Sequence, residues 1–464
     1  LPAPLTKPAA ETWPTRFERR ILAEGRDRLS LSVGEILSMN LQRQLDGAKV
    51  AVTRGSVHFG GVAASESDRN GVWVTGAVKA LDLDRWIALL GQGPGGMRVD
   101  WGGIDVRLGA VDILGLRFSE LRVDGSVRDG YWRTSLSGKE LDGELDWQPA
   151  GDGKLVARMR MFAIPSAPPD AGAAASREAQ PRNEPQDLPA LDVVAEQFVL
   201  RDRQLGRLEL AVVPEGRDWR LQHLLLTNPE SSLTVDGMWQ LALPQPMTQI
   251  NLRLEVHDVG KLLARLGYPE GVQRGTARLQ GSLAWAGAPY ELDYSTLTGT
   301  LDLEAAKGQF VKLDPGIGKL LGVMNLQSLP RRASLDFRDV FSEGFAFDEI
   351  KGSARIERGS ATTGNFRVRG PSANVVMAGT VDLARETQNL RVRITPELTE
   401  SVAVAGALVG GPIAGVAAFL AQKALKDPVG QLASFEYDVS GTWSEPTVKR
   451  VPRPAPEASA AGSE

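Results

Sequence analysis

A chain of 464 residues with 42% hydrophobic and 24% charged side chains has the make-up of a folded protein and the length for two to four ordinary domains or one extended array. Its formal net charge is −4, with acids and bases mixed along the chain and no basic stripe; this excludes a binder of the phosphate backbone, and so nucleic acid as a partner. There is no cysteine, so disulfides, thiolate nucleophiles and cysteine-ligated zinc are excluded.

The chain opens Leu1-Pro2-Ala3-Pro4, with no charged region ahead of an apolar core. It reads as a fragment or a processed chain with any upstream anchor out of view. Residues 1–30 form a lead segment, Pro-rich at first and then highly charged, as in Arg16-Phe17-Glu18-Arg19-Arg20. From 31 to 162 frequent Gly turns separate strand-like runs, with a short helix expected near 81–90. Residues 163–190 are rich in Pro, Ala and polar residues and lack periodicity, the pattern of a linker or loop.

Over 191–300 the alternation is clean. Ile250, Leu252, Leu254 and Val256 fall on one strand face, and Asn251, Arg253, Glu255 and His257 on the other. Period-two patterning is the signature of a sheet with one wet and one apolar side. Asp258 is placed to cap a helix over 259–266 that Gly267 and Pro269 end. Over 301–450 a second helix is expected near 315–327: Asp314 caps it, Pro315 sits in its first turn, and Ile317, Leu320, Leu321 and Met324 share a stripe. Phe366 and Val368 then oppose Arg367 and Arg369, and Leu390, Val392 and Ile394 oppose Arg391, Arg393 and Thr395.

The segment 401–425 is helical in pattern, and Ser401–Gln422 carries no charged side chain. Leu408, Ile413, Val416, Phe419 and Leu420 are its candidates for a membrane contact or a cap on the sheet. A helical hairpin packed on the sheet and an interfacial or re-entrant contact both stay open. A spanning helix is opposed by Gly410-Gly411-Pro412, which leaves pieces of roughly 13 Å and 21 Å. Residues 451–464 read as a disordered tail.

One phrase recurs through the chain: a Gly followed by apolar residues at every second position. It stands at Gly76, Gly143, Gly237, Gly281, Gly299, Gly379 and Gly441. Recurrence of this kind indicates one structural unit used many times. Trp147, Trp239, Trp285 and Trp443 stand near the starts of these strands, either as core or edge packing or as lining of an apolar cavity.

Motifs for chemistry do not assemble. His58, His223 and His257 lie in separate segments without ligand spacing, so no metal is expected. Gly91–Gly96 spells G-x-G-x-x-G, but a helix precedes it and a strand follows, the reverse of the dinucleotide arrangement. Asp336, Asp339, Glu343, Asp348 and Glu349 interleave with aromatics and read as strand faces and a turn rather than an acid/base pair. No cofactor and no catalytic residue is expected.

Residues 301–371 carry a more specific signal. Gly308-Gln309-Phe310 leads into Leu313-Asp314-Pro315-Gly316-Ile317-Gly318-Lys319-Leu320-Leu321-Gly322, and then Leu335-Asp336-Phe337-Arg338-Asp339 and Arg369-Gly370-Pro371. This region resembles the carboxy-terminal part of the AsmA-like superfamily, specifically its YhdP type. Leu205-Gly206-Arg207-Leu208-Glu209-Leu210 and Leu226-Thr227-Asn228-Pro229 fit the same family upstream.

The resemblance implies a mainly β fold: an elongated, curved antiparallel sheet of repeated units forming an open apolar groove, with a few short helices. It implies a periplasmic protein of diderm bacteria, anchored in the inner membrane in its full-length form. Its action would be bridge-like transfer of phospholipid between inner and outer membrane. The partners would be phospholipid acyl chains and the two membranes, with an outer-membrane or envelope protein as a further candidate. The groove candidates are then Ile250, Leu252, Leu254, Val256, Leu279, Leu283, Leu301, Leu303, Leu335, Phe337, Phe366, Val368, Leu390, Val392 and Ile394. The alternative is a non-catalytic envelope scaffold or assembly factor whose apolar faces close into an ordinary core.

Overall fold

The computed structural model describes residues 2–6, 11–46, 49–61, 69–90, 97–113, 116–149, 151, 153–165, 189–269, 271–290, 292–311, 345–396 and 434–451. Within them the chain is mainly β and largely antiparallel, with two short helices. It divides into two compact units, Leu1–Asn228 and Pro229–Glu464. The helix expected near 315–327, the segment 401–425 and the residues beyond 451 lie outside the described residues, as does the Gly91–Gly96 motif.

In the first unit, β1 (Thr15–Ala23), β2 (Arg26–Val33), β3 (Leu37–Asp46) and β4 (Lys49–Phe59) form an antiparallel meander. β5 (Gly71–Val78) pairs with β4 in parallel; β6 (Leu81–Asp82) and helix α1 (Leu83–Leu90) follow, and β7 (Met97–Val99) also lies parallel to β4. β8 (Trp101–Ile113) is parallel to β5 and antiparallel to β9 (Leu116–Arg128). From there β10 (Tyr131–Ser137), β11 (Leu141–Gln148) and β12 (Lys154–Ile164) follow by antiparallel steps.

β13 (Ala190–Leu200) then pairs with β12 in parallel, from Lys154↔Ala190 to Ile164↔Leu200, before β14 (Arg203–Glu215) and β15 (Asp218–Asn228) resume the meander. Parallel neighbours cannot be joined by a hairpin and need a connection of a dozen or more residues. The Pro- and Ala-rich stretch between β12 and β13 supplies that length.

The second unit is a plain meander. β16 (Ser231–Gln240), β17 (Met247–Val256), β18 (Val272–Ala286), β19 (Thr298–Phe310) and β20 (Phe345–Glu357) each pair antiparallel with the next. So do β21 (Ser360–Arg369), β22 (Ala373–Asp382), β23 (Thr387–Pro396), β24 (Phe435–Thr442) and β25 (Pro446–Arg450). Helix α2 (Val259–Arg265) interrupts the series between β17 and β18. The Asp258 side chain accepts from the Lys261 backbone N–H at 3.0 Å, which satisfies one of the open donors at the helix start. Leu266 closes the helix, and Gly267 follows at φ +97°.

The recurring Gly acquires its reason here. A Cβ on Gly281 would stand 2.0 Å from the Thr300 carbonyl oxygen, and one on Gly299, whose φ is +147°, 2.0 Å from that of Ser282. Neighbouring backbones approach too closely for any side chain at these points. The space above each Gly is bordered by large aliphatics: Leu252 and Leu301 flank Gly281, and Leu283 and Ile356 flank Gly299. Phe366 acts likewise, its ring lying where a Gly352 side chain would be.

Packing in the first unit centres on two clusters. One holds Val106, Leu108, Val111, Phe118 and Leu121; the other holds Met159, Val193, Ala195, Phe198 and Leu208. In the second unit the largest cluster joins Phe345, Phe347, Ile350 and Val368 to Val375, Met377, Leu390, Val392, Ile394, Tyr437 and Val439, with Val259 and Leu263 of α2 packed against it.

Asp27 on β2 is buried, 1% exposed. Arg43 Nε and Nη2 donate to its two carboxylate oxygens at 2.9 and 2.7 Å, and Arg19 Nε donates to Oδ2. These bonds, Arg43's first, outweigh burial and hold the carboxyl down at about 2. A folded-state value below the unfolded one means that the group's stabilisation is complete above pH ~4 and is lost as pH falls towards ~2. The difference in thermal midpoint between the wild type and Asp27→Asn, followed from pH ~6 to ~2, is therefore expected to stay constant down to about 4 and then to shrink.

Candidate functional site

The registers of β16–β19 align apolar side chains into rungs on one side of the sheet. Leu233, Leu254, Leu279 and Leu303 face one another in sequence, and the rung ends at Gly352 under the Phe366 ring. The next rung holds Val235, Leu252, Gly281, Leu301 and Ala354; a third holds Gly237, Ile250, Leu283, Gly299 and Ile356. Successive rungs are two residues apart, so the side chains point the same way at a spacing of ~6.8 Å along the strands and ~4.8 Å across them. All the leucines of these rungs, and Ile250, are half-buried.

The other side is charged. Glu255 meets Arg278 at 3.4 Å, Lys351 meets Glu304 and Glu349 at 3.8 and 2.8 Å, and Arg391 meets Asp438 at 3.0 Å. Lys351 and Arg369 hold the Glu349 carboxyl below the usual carboxylate range, Lys351's hydrogen bond first. Exposed pairs of this kind contribute little stability, but they keep this side wet and so orient the apolar side.

Burial changes along the sheet. A rung that starts at Val256 and Ala277 runs through Ala305, Ile350, Val368, Val375 and Ile394 to Phe435. From Ile350 to Ile394 these residues lie inside the largest cluster: Val368 is 1% exposed, and Leu390, Val392 and Ile394 are each 2% exposed.

The groove candidates therefore separate into two sets. Ile250, Leu252, Leu254, Leu279, Leu283, Leu301, Leu303 and Phe366 stand half-buried on the apolar side; Leu303 and Phe366 pack against the edge of the largest cluster, and Ile250, Leu283 and Leu301 against a small one of Trp285, Leu297 and Ile356. Val256, Val368, Leu390, Val392 and Ile394 are buried, the last four among protein side chains. Leu335, Phe337, Leu408, Ile413, Val416, Phe419 and Leu420 lie outside the described residues. Leu233 and Val235 belong to the same rungs and were not singled out, although Leu233-Thr234-Val235-Asp236 carries the same alternation.

Trp285 is buried, its Nε1 donating to the Ala288 carbonyl at 3.1 Å, and Trp239 meets Tyr290 edge-on. The three histidines stand on β4, on β15 and just beyond β17. Among the described residues no three His, Asp or Glu side chains gather as a metal site, and no helix is long and apolar enough to cross a membrane.

Comparison with known proteins accords with this arrangement. The chain is 29% identical over 252 residues to a protein of Escherichia coli (strain K12) named intermembrane phospholipid transporter YhdP. The match takes in 54% of this chain and 20% of that protein, so the chain spans only a fraction of its relative's length. No solved structure matches the chain. The family described as YhdP protein matches residues 1–448, nearly the whole length, and the chain belongs to that family.

Proposed function

We propose that the apolar side of the second unit is a lipid-conducting surface, and that the protein acts in the periplasm as part of a bridge along which phospholipid moves between inner and outer membrane. The observation that carries this reading is the set of half-buried leucine rungs across β16–β19, backed by a charged opposite side. Each CH₂ withdrawn from water contributes roughly 0.8 kcal/mol, so a sixteen-carbon acyl chain left in water costs on the order of 12 kcal/mol. A continuous aliphatic lining offsets most of that. Repeated rungs of equal chemistry have no single deep minimum, which lets a chain slide rather than lodge. The relative's function as an intermembrane phospholipid transporter supports the same reading, and no catalytic step is assigned to this chain.

A second reading, an envelope scaffold with a closed core, draws on the large buried cluster of β20–β24. Lipid extraction and mass spectrometry of protein purified from membrane-derived preparations decides between them. Phospholipid in near-stoichiometric amount is the expected result; protein free of lipid would leave the scaffold.

A further inference from the structure

The strand pair that opens the first unit places charge on its apolar side. The registers put Ile21, Asp27, Arg43 and Val52 in one rung and Arg19, Leu29, Leu41 and Gly55 in the next. Side chains of both rungs point the same way, and Val52 is 1% exposed. Arg19, Asp27 and Arg43 thus share an otherwise aliphatic surface.

Asp27 is already satisfied by Arg43, which grips both carboxylate oxygens. One arginine would balance the carboxylate and pin the register. The second guanidinium is surplus: with Arg19 donating to Oδ2 as well, two positive groups converge on one negative group and leave a net charge of about +1. Arg19 uses only Nε in this contact and Arg43 only Nε and Nη2. Arg19 Nη1 and Nη2 and Arg43 Nη1 make no hydrogen bond among the described residues. The Arg19 side chain is 51% exposed and that of Arg43 20% exposed. Apolar groups border the pair on β1: Phe17 and Ile21 are 63% and 75% exposed.

Donors aimed from two planar guanidinium groups, with exposed hydrocarbon beside them, match a phosphodiester attached to an acyl chain. We propose that Arg19 and Arg43, positioned by Asp27, form a seat for the phosphodiester of an anionic phospholipid, with its hydrocarbon against the neighbouring apolar side chains. This inference rests on the lipid-conducting reading and adds a headgroup preference to it. A headgroup bearing its own cation, as in phosphatidylcholine, neutralises its phosphate and gains less from the surplus charge.

The test uses the full chain and two fluorescent-tailed probes with identical chains, phosphatidylglycerol and phosphatidylcholine. The wild type is expected to bind phosphatidylglycerol about fivefold more tightly, a preference that falls with added salt. Arg19→Gln should bring the ratio close to one, with phosphatidylglycerol binding falling several-fold more than phosphatidylcholine binding. Asp27→Asn, which raises the local charge to about +2, should keep or increase the preference. A purely structural triad predicts an unmoved ratio in both variants, whatever their melting temperatures. If Asp27→Asn does not fold, Arg19→Gln and the salt titration still decide. Equal binding of the two probes by the wild type, or an unchanged ratio in Arg19→Gln, overturns the seat alone. Displacement of phosphatidylglycerol by glycerol 3-phosphate at its own binding concentration would assign the seat to a free phosphate ester instead. Failure to bind either probe removes the lipid-conducting reading and the seat together.

Discussion

Leu279→Asp is expected to reduce the phospholipid carried by the purified protein by about tenfold or more while the sheet stays folded. Leu279 stands between Leu254 and Leu303 in the leucine rung and is half-buried. In the lipid-free protein a carboxylate there keeps partial access to water, so the fold loses about 1–2 kcal/mol of leucine burial and little else. With an acyl chain laid over it, the same carboxylate would have to be covered by hydrocarbon without a partner, at several kcal/mol. The matched control is Gln280→Asp, one residue on and pointing to the exposed side, where lipid content should be unchanged. Circular dichroism and a thermal melt establish that both variants fold. Equal lipid in Leu279→Asp and wild type would show that acyl chains do not use this rung.

The second large effect separates protein-filled from lipid-facing surface. Leu390→Ala should destabilise the second unit by about 3 kcal/mol, whereas Leu254→Ala should cost less than about 1.5 kcal/mol. Leu390 is 2% exposed and sits in the cluster with Val375, Met377 and Val439, so its truncation leaves a cavity that its neighbours cannot fill. Leu254 is half-buried, and its truncation removes hydrocarbon from a surface already in contact with solvent. Urea denaturation of the two variants measures the difference. Lipid content should respond in the reverse order, lower in Leu254→Ala and unchanged in Leu390→Ala. Similar losses of stability at the two positions would mean that β17 is packed as tightly as β23, which favours the scaffold.

Much of this architecture was legible locally. Along β23, Leu390, Val392 and Ile394 alternate with Arg391 and Arg393, and a period of two leaves the chain no other way to segregate them than a strand. The arginines then meet Asp438 and Glu436 of β24. Asp258 and Gly267 bracket α2 because capping depends on residues within one turn. Gly281 and Gly299 announced strand positions, though not that the adjoining backbones close to the point where no Cβ fits.

Other features depended on residues far apart in the chain. Arg16–Arg20 reads only as a highly charged run, yet β1 turns Arg19 towards Asp27 and Arg43, and only the pairing of three strands reveals it. Leu254 and Ile394 are indistinguishable as letters in an alternating run.

The sequence by itself thus determined that the chain is β, which residues share a strand face, and which family it belongs to, because side-chain alternation and short motifs are properties of neighbouring residues. The tertiary structure alone decided which apolar positions are filled by protein and which stand half-open. That depends on what packs across the face: Phe345, Phe347 and helix α2 reach the cluster around Ile350 and Ile394, Leu303 packs against its edge, and Leu254 and Leu279 stand clear of it. Burial is a relation between segments distant in sequence, and no pattern within one strand encodes it.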